Sequence, residues 1–464
     1  MSLRTGELLI AGIAIGVGTS LGACGGTGGS GSGGTGAGHS SGSNGAGGLL
    51  FSGSGNPGCK NLQCQQVPCS GGAKTTVSGT VYDPKGDVPL YNVVVYVPNA
   101  PLDPFPDGAS CDKCGSTLSG EPVVTALTDT KGHFVLENVP VGANIPLVMQ
   151  VGKFRRQITI PSVGKCTDTP LGNIDQTRLP RNKTEGDIPK IALTTGGADP
   201  LECLLRKIGI DDSEFTPEAG SGRVNLFTGT MGGTGYAASL NGGAPFTNAM
   251  MLWGDVASLK KYDIVLLACE ANQNPNTKPQ AALQALFDYA SAGGRVFASH
   301  WHNYWFEAGP APFPMVAIWN PSPGNLPDPF TALIDQTFPK GMALAEWLMN
   351  VGGSTNLGEI EIHGGRHTVG AVNPMISRQW IYSTQPQGVQ YFTFNTPIGV
   401  AADMQCGRVV FSDLHVSSGD TVGQPFPDGC QTKTLSAQEK ALLFMLFDLS
   451  ACISDDGKPP PPPH

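Results

Sequence analysis

The sequence predicts a multidomain protein in which an antiparallel β-sandwich precedes a three-layer α/β domain with a mostly parallel sheet. Between about residues 75 and 165, apolar residues alternate with a period of two, which is typical of half-buried strands. From residue 190 onward, continuous apolar runs alternate with helical patterns, which is typical of buried parallel strands joined by helices. Turn residues separate the first set of strands and no helical pattern interrupts them, so we expect the two regions to be separate domains.

The N-terminal segment resembles a bacterial lipoprotein signal peptide. Residues 8–17 are apolar or glycine, and Leu21-Gly22-Ala23-Cys24 ends the apolar stretch with small residues before a cysteine. We expect residues 1–23 to be removed and Cys24 to carry the lipid. A secretory peptide that is cut elsewhere, without a lipid, is the alternative.

Lipidation of Cys24 predicts a cell-envelope protein whose partner is the membrane, reached through the lipid anchor. The residue after the anchor cysteine is Gly25 rather than an aspartate, which favours the outer membrane in a Gram-negative host. The Gly- and Ser-rich stretch within residues 24–58 predicts a flexible linker.

Composition excludes some classes of partner. The formal net charge of −9 over 464 residues comes without a basic patch, which argues against nucleic acid. After the signal segment, no apolar run approaches the ~20 residues of a transmembrane helix. With 40% hydrophobic residues the chain can bury at least one full core.

The twelve cysteines predict disulfides, because the compartment is oxidising. Removing Cys24 leaves eleven, and six of these precede residue 170, an even set that can close on itself. Cys269 ends a buried apolar run and is left out of the pairing. Cys111 and Cys114 are spaced like half of a zinc site, but without neighbouring histidines a disulfide is favoured.

Residues 75–170 follow a Cys-rich lead-in over 59–74 and carry a family resemblance. Gly79-Thr80-Val81-Tyr82-Asp83 and the later Thr128-Asp129-Thr130-Lys131-Gly132-His133-Phe134 resemble the carboxypeptidase regulatory-like, transthyretin-like domain. That resemblance implies a non-catalytic sandwich with a spacer or adhesion role. The sequence departs from the family in an insert, residues 98–122, which we expect to be a binding loop or an idle loop with its own disulfide.

A linker over residues 171–189 leads to an α/β domain over 190–453, and a Pro-rich tail follows over 454–464. Asp199 and Pro200 predict a helix start with a capping side chain. The other predicted elements are listed here in chain order: strands at 191–194 and 264–269, a helix at about 279–292, strands at 295–299 and 408–413, and a helix at 436–449 with a Ser436 to Glu439 capping box.

The runs Gly294-Arg295-Val296-Phe297-Ala298-Ser299-His300 and Gly407-Arg408-Val409-Val410-Phe411-Ser412-Asp413-Leu414-His415 resemble the class I glutamine amidotransferase-like fold, in its ThuA-like branch. The resemblance implies a flavodoxin-like, three-layer architecture. In that family a cysteine nucleophile occupies the turn where this chain has His300. The family also has a histidine and a glutamate late in the chain. The corresponding residues here are His415 and Ser417, so the glutamate is missing and we do not expect glutaminase chemistry.

Candidate site residues follow the strands, because ligands of open α/β sheets bind beyond the carboxyl ends of the strands. Five of the eight histidines lie in this region. Ser299 is a candidate nucleophile in place of the missing thiol. Cys269, beside Glu270, is a second one, and an inert buried thiol is its alternative.

A metal centre is a further hypothesis for the same region. His300 and His302 supply two imidazoles, and His415 with Asp413 or Glu270 would complete a three-ligand zinc set with one open position. The alternative is a group of hydrogen-bonded histidines without a metal, so no cofactor is assigned and zinc stays open.

Aromatic residues suggest a glycan ligand. Trp301, Tyr304 and Trp305 are placed to stack on sugar faces, and packing beneath the following loop is the alternative. His363 and His367 are expected on an added β-hairpin, and whether they reach the site is left open. The sequence therefore favours an envelope binding module for a glycan or a protein, with a metal-dependent or serine hydrolase in the same crevice as the alternative.

Overall fold

The computed structural model describes residues 58–320, 324, 326–415 and 419–461. The predicted signal peptide, the lipidation of Cys24 and the linker up to residue 57 lie outside the described residues, as does Ser417. Among the described residues, no helix is long and apolar enough to cross a membrane.

Two small sheets form the first region. Their strands are β1 Thr76–Thr80, β2 Val94–Pro98, β3 Pro122–Leu127, β4 His133–Glu137, β5 Gly142–Val151, β6 Phe154–Val163 and β7 Asp168–Leu171. One sheet has the order β4-β1-β7 and the other the order β3-β2-β5-β6. All pairings are antiparallel except that of β7, which lies parallel to β1 because the chain crosses back from the other sheet.

The period-two alternation of apolar residues in the sequence predicted which side chains form the buried core of this region. Val93, Val95 and Val97 are completely buried, as one face of a period-two strand should be. Tyr96, on the opposite face, is buried as well. Both faces of β2 are therefore covered, which the alternation alone did not indicate.

A ten-stranded mixed sheet forms the second region. Its strands are β8 Ile191–Thr195, β9 Val224–Thr228, β10 Thr247–Asn248, β11 Ile264–Leu267, β12 Arg295–Ser299, β14 Phe330–Ile334, β15 Glu359–Ile362, β17 Ser377–Thr384, β18 Gln387–Thr396 and β19 Gly407–Ser412, and a separate pair consists of β13 Ala317–Trp319 and β16 Val369–Val372. The order is β10-β9-β8-β11-β12-β19-β18-β17-β14-β15. The half from β10 to β19 is parallel, as predicted, and the half from β19 to β15 is antiparallel. The expectation of a mostly parallel sheet is therefore corrected to a mixed sheet.

Helices cover both faces of this sheet. They are α2 Leu201–Lys207, α3 Ala249–Trp253, α4 Val256–Leu259, α5 Gln280–Ser291, α6 Tyr304–Glu307, α7 Pro339–Asn350 and α8 Ala437–Ser450, whereas the short α1 Ile174–Thr177 contacts β1 of the first region. Along β11, Ile264 and Leu266 join one apolar cluster while Val265 and Leu267 join the other. A strand that is buried on both faces reads as a continuous apolar run, which is why the sequence revealed it.

Helix α8 connects the two regions through one hydrophobic core. It is buried almost all round, and its predicted capping box between Ser436 and Glu439 is present. Phe444 stacks on Tyr91 with ring centroids 5.8 Å apart, and Phe447 lies 5.5 Å from Phe154. Because these apolar contacts are contiguous, the two small sheets and the large sheet share a core.

The segment after α8, which was predicted to be a Pro-rich tail, begins with residues that are buried in the protein. Asp456 is 9% exposed and accepts from Arg408 of β19 at 2.9 Å and from Lys340 of α7 at 3.2 Å. A buried carboxylate of this kind needs its cationic partners, since an unpaired buried charge is costly.

Within the part of the chain that the structure describes there are five disulfides: Cys59–Cys64, Cys69–Cys166, Cys111–Cys406, Cys114–Cys452 and Cys203–Cys430. Cys269 is free and buried, as expected. The first six cysteines do not close on themselves, because Cys111 and Cys114 bond to distant partners. The insert over residues 98–122 therefore carries two bridges to the second region and has no bridge of its own.

These two bridges hold the insert at the amino-terminal edge of the parallel strands. Cys406 directly precedes β19, and the N–H of Ala109 donates to the carbonyl of Lys260, shortly before β11, at 3.2 Å. Lys153 of the first region forms an ion pair with the largely buried Asp263 at the start of β11. The carboxyl edge of the sheet is opposite.

Replacing Cys111 and Cys406 together by serine should lower the free energy of unfolding by about 4 kcal/mol, because with Cys114–Cys452 intact this bridge still closes a loop of about 50 residues. The matched pair Cys59→Ser with Cys64→Ser removes a bridge between residues only 5 apart and should cost about 2 kcal/mol. Urea unfolding without reductant measures both. Equal losses would contradict the role assigned to the longer bridge.

Candidate functional site

Four parallel strands deliver polar side chains to one edge of the sheet. In the ladder Leu267 pairs with Thr194 and with Ala298, and Ser299 pairs with Ser412. The residues that follow β8, β11, β12 and β19 therefore emerge side by side. Close approach is required there, since a Cβ on Gly196 would lie 2.2 Å from the carbonyl oxygen of Cys269.

His300 occupies a tight turn at the end of β12. Its φ of +40° places it in the left-handed region, which a non-glycine residue adopts at a cost. A short 3-10 turn, His300–Asn303, follows directly. The sequence predicted the turn and the residue on it, and the backbone turns the imidazole toward β11 and β19.

Three ligand atoms converge at this point. Cys269 Sγ lies 3.4 Å from His300 Nδ1, and His415 Nε2 lies 3.2 Å from the same nitrogen. All three atoms lie within 4.8 Å of one another, and all three residues are buried. A ring nitrogen carries one lone pair or one hydrogen, so only one of the two contacts can be a linear hydrogen bond.

Two of the three ligand separations match a tetrahedral metal site. Zinc bonds of about 2.3 Å to sulfur and about 2.0–2.1 Å to nitrogen place two nitrogens about 3.3 Å apart and a sulfur about 3.6 Å from a nitrogen. The observed separations are 3.2 and 3.4 Å. The third separation, between the Cys269 and His415 ligand atoms, is no more than 4.8 Å, so the three side chains could hold one metal ion if these two atoms came to about 3.6 Å.

Burial keeps all three groups neutral. It raises the pKa of the Cys269 thiol to about 12, although the backbone N–H groups of Trp301 and Ala271 act on the sulfur in the opposite direction. Burial lowers the pKa of His300 to about 2 and that of His415 to about 4, and the Arg366 guanidinium adds to both shifts. A thiolate–imidazolium pair for nucleophilic catalysis is therefore not formed here.

Ser299 has a carboxylate partner. Its hydroxyl donates to Asp199, and both side chains are buried. Asp199 was predicted to cap α2, but that helix has no side-chain cap. A Ser-His nucleophile needs a histidine that accepts the serine proton, and the Ser299 hydroxyl is bonded to Asp199 instead, so the geometry does not favour the serine hydrolase alternative.

Glu270 is paired away from the three ligand atoms, which corrects its predicted metal role. Its carboxylate accepts from Lys278 and from the N–H of Thr230 at 2.7 Å. Burial opposes ionisation, but His302 and Lys278 outweigh it, so the pKa of Glu270 is lowered. Glu270 and Lys278 form a buried ion pair beneath the site.

His302 and Trp305 are structural, which corrects two further predictions. His302 Nε2 donates to the carbonyl of Ala268 at 2.9 Å, and His302 Nδ1 accepts from Trp305 Nε1 at 2.8 Å. Both ring nitrogens are used, so His302 has none left for a metal. Trp305 is completely buried against Trp253, with centroids 5.2 Å apart, and cannot stack on a sugar.

Asp413 positions a loop, and its predicted role as a metal ligand is corrected. Its carboxylate accepts from the Thr368 N–H at 2.8 Å and from the Thr368 hydroxyl. Burial raises the pKa of Asp413 to about 7 despite these donors. The Asp413 carboxylate is therefore hydrogen-bonded to Thr368. Asp413 itself lies two residues before His415 in the sequence.

The remaining candidates lie at the margin of the site. The Trp301 ring is half-buried with its centroid 4.7 Å from that of His300, and Tyr304 is half-buried against the apolar cluster of α5. His363 is exposed beside Asp328 and Glu361. His367 donates to the carbonyl of Gln387 at 2.5 Å.

Sequence reasoning missed two features of the site. It placed Cys269 at the correct edge but treated it as a nucleophile or an inert thiol, although the strand-end rule that selected His300 and His415 applies equally to Cys269. It also passed over Arg366, which lies between His363 and His367. The added hairpin predicted for these histidines is corrected, because the flanking strand β15 pairs with β14 and β16 pairs with β13.

No family model and no curated protein matches the chain. Among solved structures, it is similar to a thua-like protein from Bacteroides uniformis, with 12% identity and a TM-score of 0.28 over 55% of this chain and 88% of that one. A type II cohesin–X-dockerin complex from Acetivibrio cellulolyticus gives 17% identity and a TM-score of 0.15 over 30% of this chain and 74% of the other. Likenesses at these TM-scores carry no argument, so the site is interpreted from its own geometry.

Replacing Glu270 by glutamine should lower the free energy of unfolding by about 3–5 kcal/mol, because Lys278 would remain as an unpaired buried cation. The exposed Glu307→Gln, which also accepts hydrogen bonds near α6, is the matched control and should cost less than about 1 kcal/mol. Urea unfolding measures both variants. Adding Lys278→Met to Glu270→Gln should recover much of the loss, and a failure to recover would contradict the ion-pair account.

Proposed function

We propose that this chain is a metal-dependent hydrolase of the cell envelope, with Cys269, His300 and His415 as the metal ligands. The single observation that carries the proposal is the convergence of Cys269 Sγ and His415 Nε2 on His300 Nδ1, at 3.4 and 3.2 Å. A cation between the three atoms would satisfy all of them, whereas hydrogen bonding satisfies only one contact.

The surroundings of the sulfur support a metal-bound thiolate. The backbone N–H groups of Trp301 and Ala271 act on Cys269 Sγ, and such donors stabilise negative charge on the atom that they face. A coordinating metal deprotonates a thiol outright. The buried Cys269 would therefore bind as a thiolate, with its charge shared between the metal and two amides.

Three protein ligands leave a fourth position open, which is the pattern of catalytic zinc sites. A zinc ion there would lower the pKa of a bound water to near neutrality and polarise a substrate oxygen. His415 is 8% exposed and the other two ligands less, so access would be from the side of His415.

This proposal reverses the preference that the sequence suggested. A glycan-binding module depends on exposed rings, and Trp305 is buried while Trp301 packs beside His300. A Ser-His hydrolase depends on a histidine base for Ser299, and the described partner of Ser299 is Asp199 instead. Of the three hypotheses, only the metal centre gains from the geometry.

The envelope location is supported by chemistry. Five disulfides persist in an oxidising compartment and are rare in the cytosol. A lipid at Cys24 would hold the protein at the outer membrane. The first region, as a carboxypeptidase regulatory-like sandwich, would serve as a spacer to which disulfides bond the second region.

The purified protein should bind one zinc or cobalt ion, and Cys269→Ser, His300→Ala and His415→Ala should each weaken binding by at least about 100-fold. Cobalt is the more informative probe, because a cobalt–thiolate bond gives a charge-transfer absorption that Cys269→Ser removes. Hydrolysis of activated ester and phosphoester substrates should then depend on the metal and on His300.

His133→Ala, on the exposed face of β4, is the matched control and should bind metal like the unaltered protein. Urea unfolding of each variant without metal separates lost binding from lost folding. Equal metal affinity in His133→Ala, His300→Ala and His415→Ala, with all variants folded, would refute the proposed site.

A further inference from the structure

We infer that a groove between the insert of residues 98–122 and the first region binds an extended, proline-rich segment of a partner protein. The groove encloses a cavity of about 240 Å³ and shares no lining residue with the proposed metal centre. Much of its lining is apolar and only half-buried, and these residues are Val94, Phe105, Leu118, Leu127, Pro460 and Pro461.

The wall that the insert contributes is held by covalent and polar contacts. Cys114 is bonded to Cys452, and the N–H of Cys114 donates to the carbonyl of Ile453 at 3.0 Å. The N–H of Asp103 donates to the Ser119 hydroxyl at 2.6 Å, which joins two arms of the insert. A groove whose walls are already fixed binds a ligand at a lower cost in conformational entropy.

A buried arginine fixes the aromatic ring of this wall. The Arg155 guanidinium lies 4.1 Å from the centroid of the Phe105 ring, and Arg155 is only 4% exposed. Its Nη2 donates to the carbonyl of Asp103 and its Nε to the carboxylate of Asp187, both at 2.8 Å. The Phe105 ring itself is half-buried. Grooves lined by aromatic rings are the surfaces on which proline-rich segments dock.

The chain's own prolines indicate which chemistry fits this groove. Residues 457–459 are exposed, whereas Pro460 and Pro461 are half-buried and line the cavity. Proline has no N–H to donate, so these two residues depend on the packing of their rings. They start from a fixed point, because the preceding Asp456 is bonded to Arg408. A partner segment of the same chemistry would compete with them for the groove.

Polar residues of the groove suit an extended polypeptide. A polyproline II segment has no internal hydrogen bonds, so its carbonyl groups need donors from the surface on which it lies. Ser116 and Thr117 are exposed and line the cavity, and their hydroxyls can supply such donors.

The charge of the insert favours a partner with a cation beside its prolines. Residues 98–122 carry four carboxylates and one lysine. Lys113 and Arg155 line the cavity, but Lys113 donates to a backbone carbonyl and Arg155 is paired with Asp187. A segment in which Lys or Arg precedes the prolines, as Lys458 does in this chain, would therefore complement the groove.

The test uses the whole chain and a fluorescent peptide with the sequence of residues 457–464, GKPPPPPH, whose binding is followed by anisotropy. Pro460→Ser with Pro461→Ser frees the groove, and this tail variant should bind the peptide saturably. The unaltered chain should bind it about 10-fold more weakly, because the attached tail competes. A dissociation constant of about 100 µM and an effective concentration on the order of 1 mM give this ratio. A peptide with alanine in place of the five prolines should not bind.

Phe105→Ala in the tail variant removes the ring and should weaken peptide binding by at least about 10-fold. Leu118→Ser, which leaves the contact of Arg155 with Phe105 in place, should also weaken it and serves if Phe105→Ala fails to fold. The matched control is Phe287→Ala, which removes a half-buried ring of α5 that packs 4.8 Å from Phe313, and it should bind the peptide normally.

Equal affinity for the proline and alanine peptides, or equal affinity in folded Phe105→Ala, Leu118→Ser and Phe287→Ala, would overturn this inference. Equal affinity in the tail variant and the unaltered chain would place the binding elsewhere and overturn it as well. Binding to the tail variant alone would assign the groove to the chain's own tail, and a partner would then have no place there.

Discussion

The parallel register of β8, β11, β12 and β19 is the constraint on which the rest of the structure depends. Parallel strands end at the same edge, so residues 31 and 115 positions apart in sequence emerge within a few ångströms of one another. Cys269 and His415 meet the same nitrogen of His300 only because β12 lies between β11 and β19. A shift of one residue would turn these side chains to the opposite face.

The two edges of the sheet have different roles. At the amino-terminal edge, the insert of residues 98–122 is bonded to the second region through Cys111 and Cys114, and α8 fills the space between the regions. Beneath the carboxyl edge, Glu270, Lys278, His302 and Trp305 form a closed polar and aromatic layer. This layer lies beneath the side chains of Cys269, His300 and His415 and supports them.

Sequence patterns predicted the elements whose signal is local. The continuous apolar run of β11, the helix stripe of α5 and the capping box of α8 each depend on a few neighbouring residues. The antiparallel half of the large sheet was missed, because pairings such as that of β14 with β17 join residues far apart without a turn signal. The partners of Cys111 and Cys114 were missed for the same reason.

At the site, sequence reasoning selected the edge of the sheet and two of the three residues that we propose as metal ligands. It could not tell His300 from His302, because that distinction depends on the turn at His300 and on the hydrogen bond from Trp305. It named Asp413 or Glu270, and not Cys269, to complete the ligand set, because the pairing of Glu270 with Lys278 and of Asp413 with Thr368 is a tertiary contact. Such distinctions depend on tertiary contacts that spacing does not encode.

The most direct test of this account is X-ray absorption spectroscopy of the zinc-loaded protein, which reports the atoms bound to the metal. The account predicts one sulfur at about 2.3 Å and two imidazole nitrogens at about 2.0–2.1 Å, together with a further light atom from solvent. A shell of nitrogen and oxygen without sulfur would contradict it, because the three-residue centre requires Cys269.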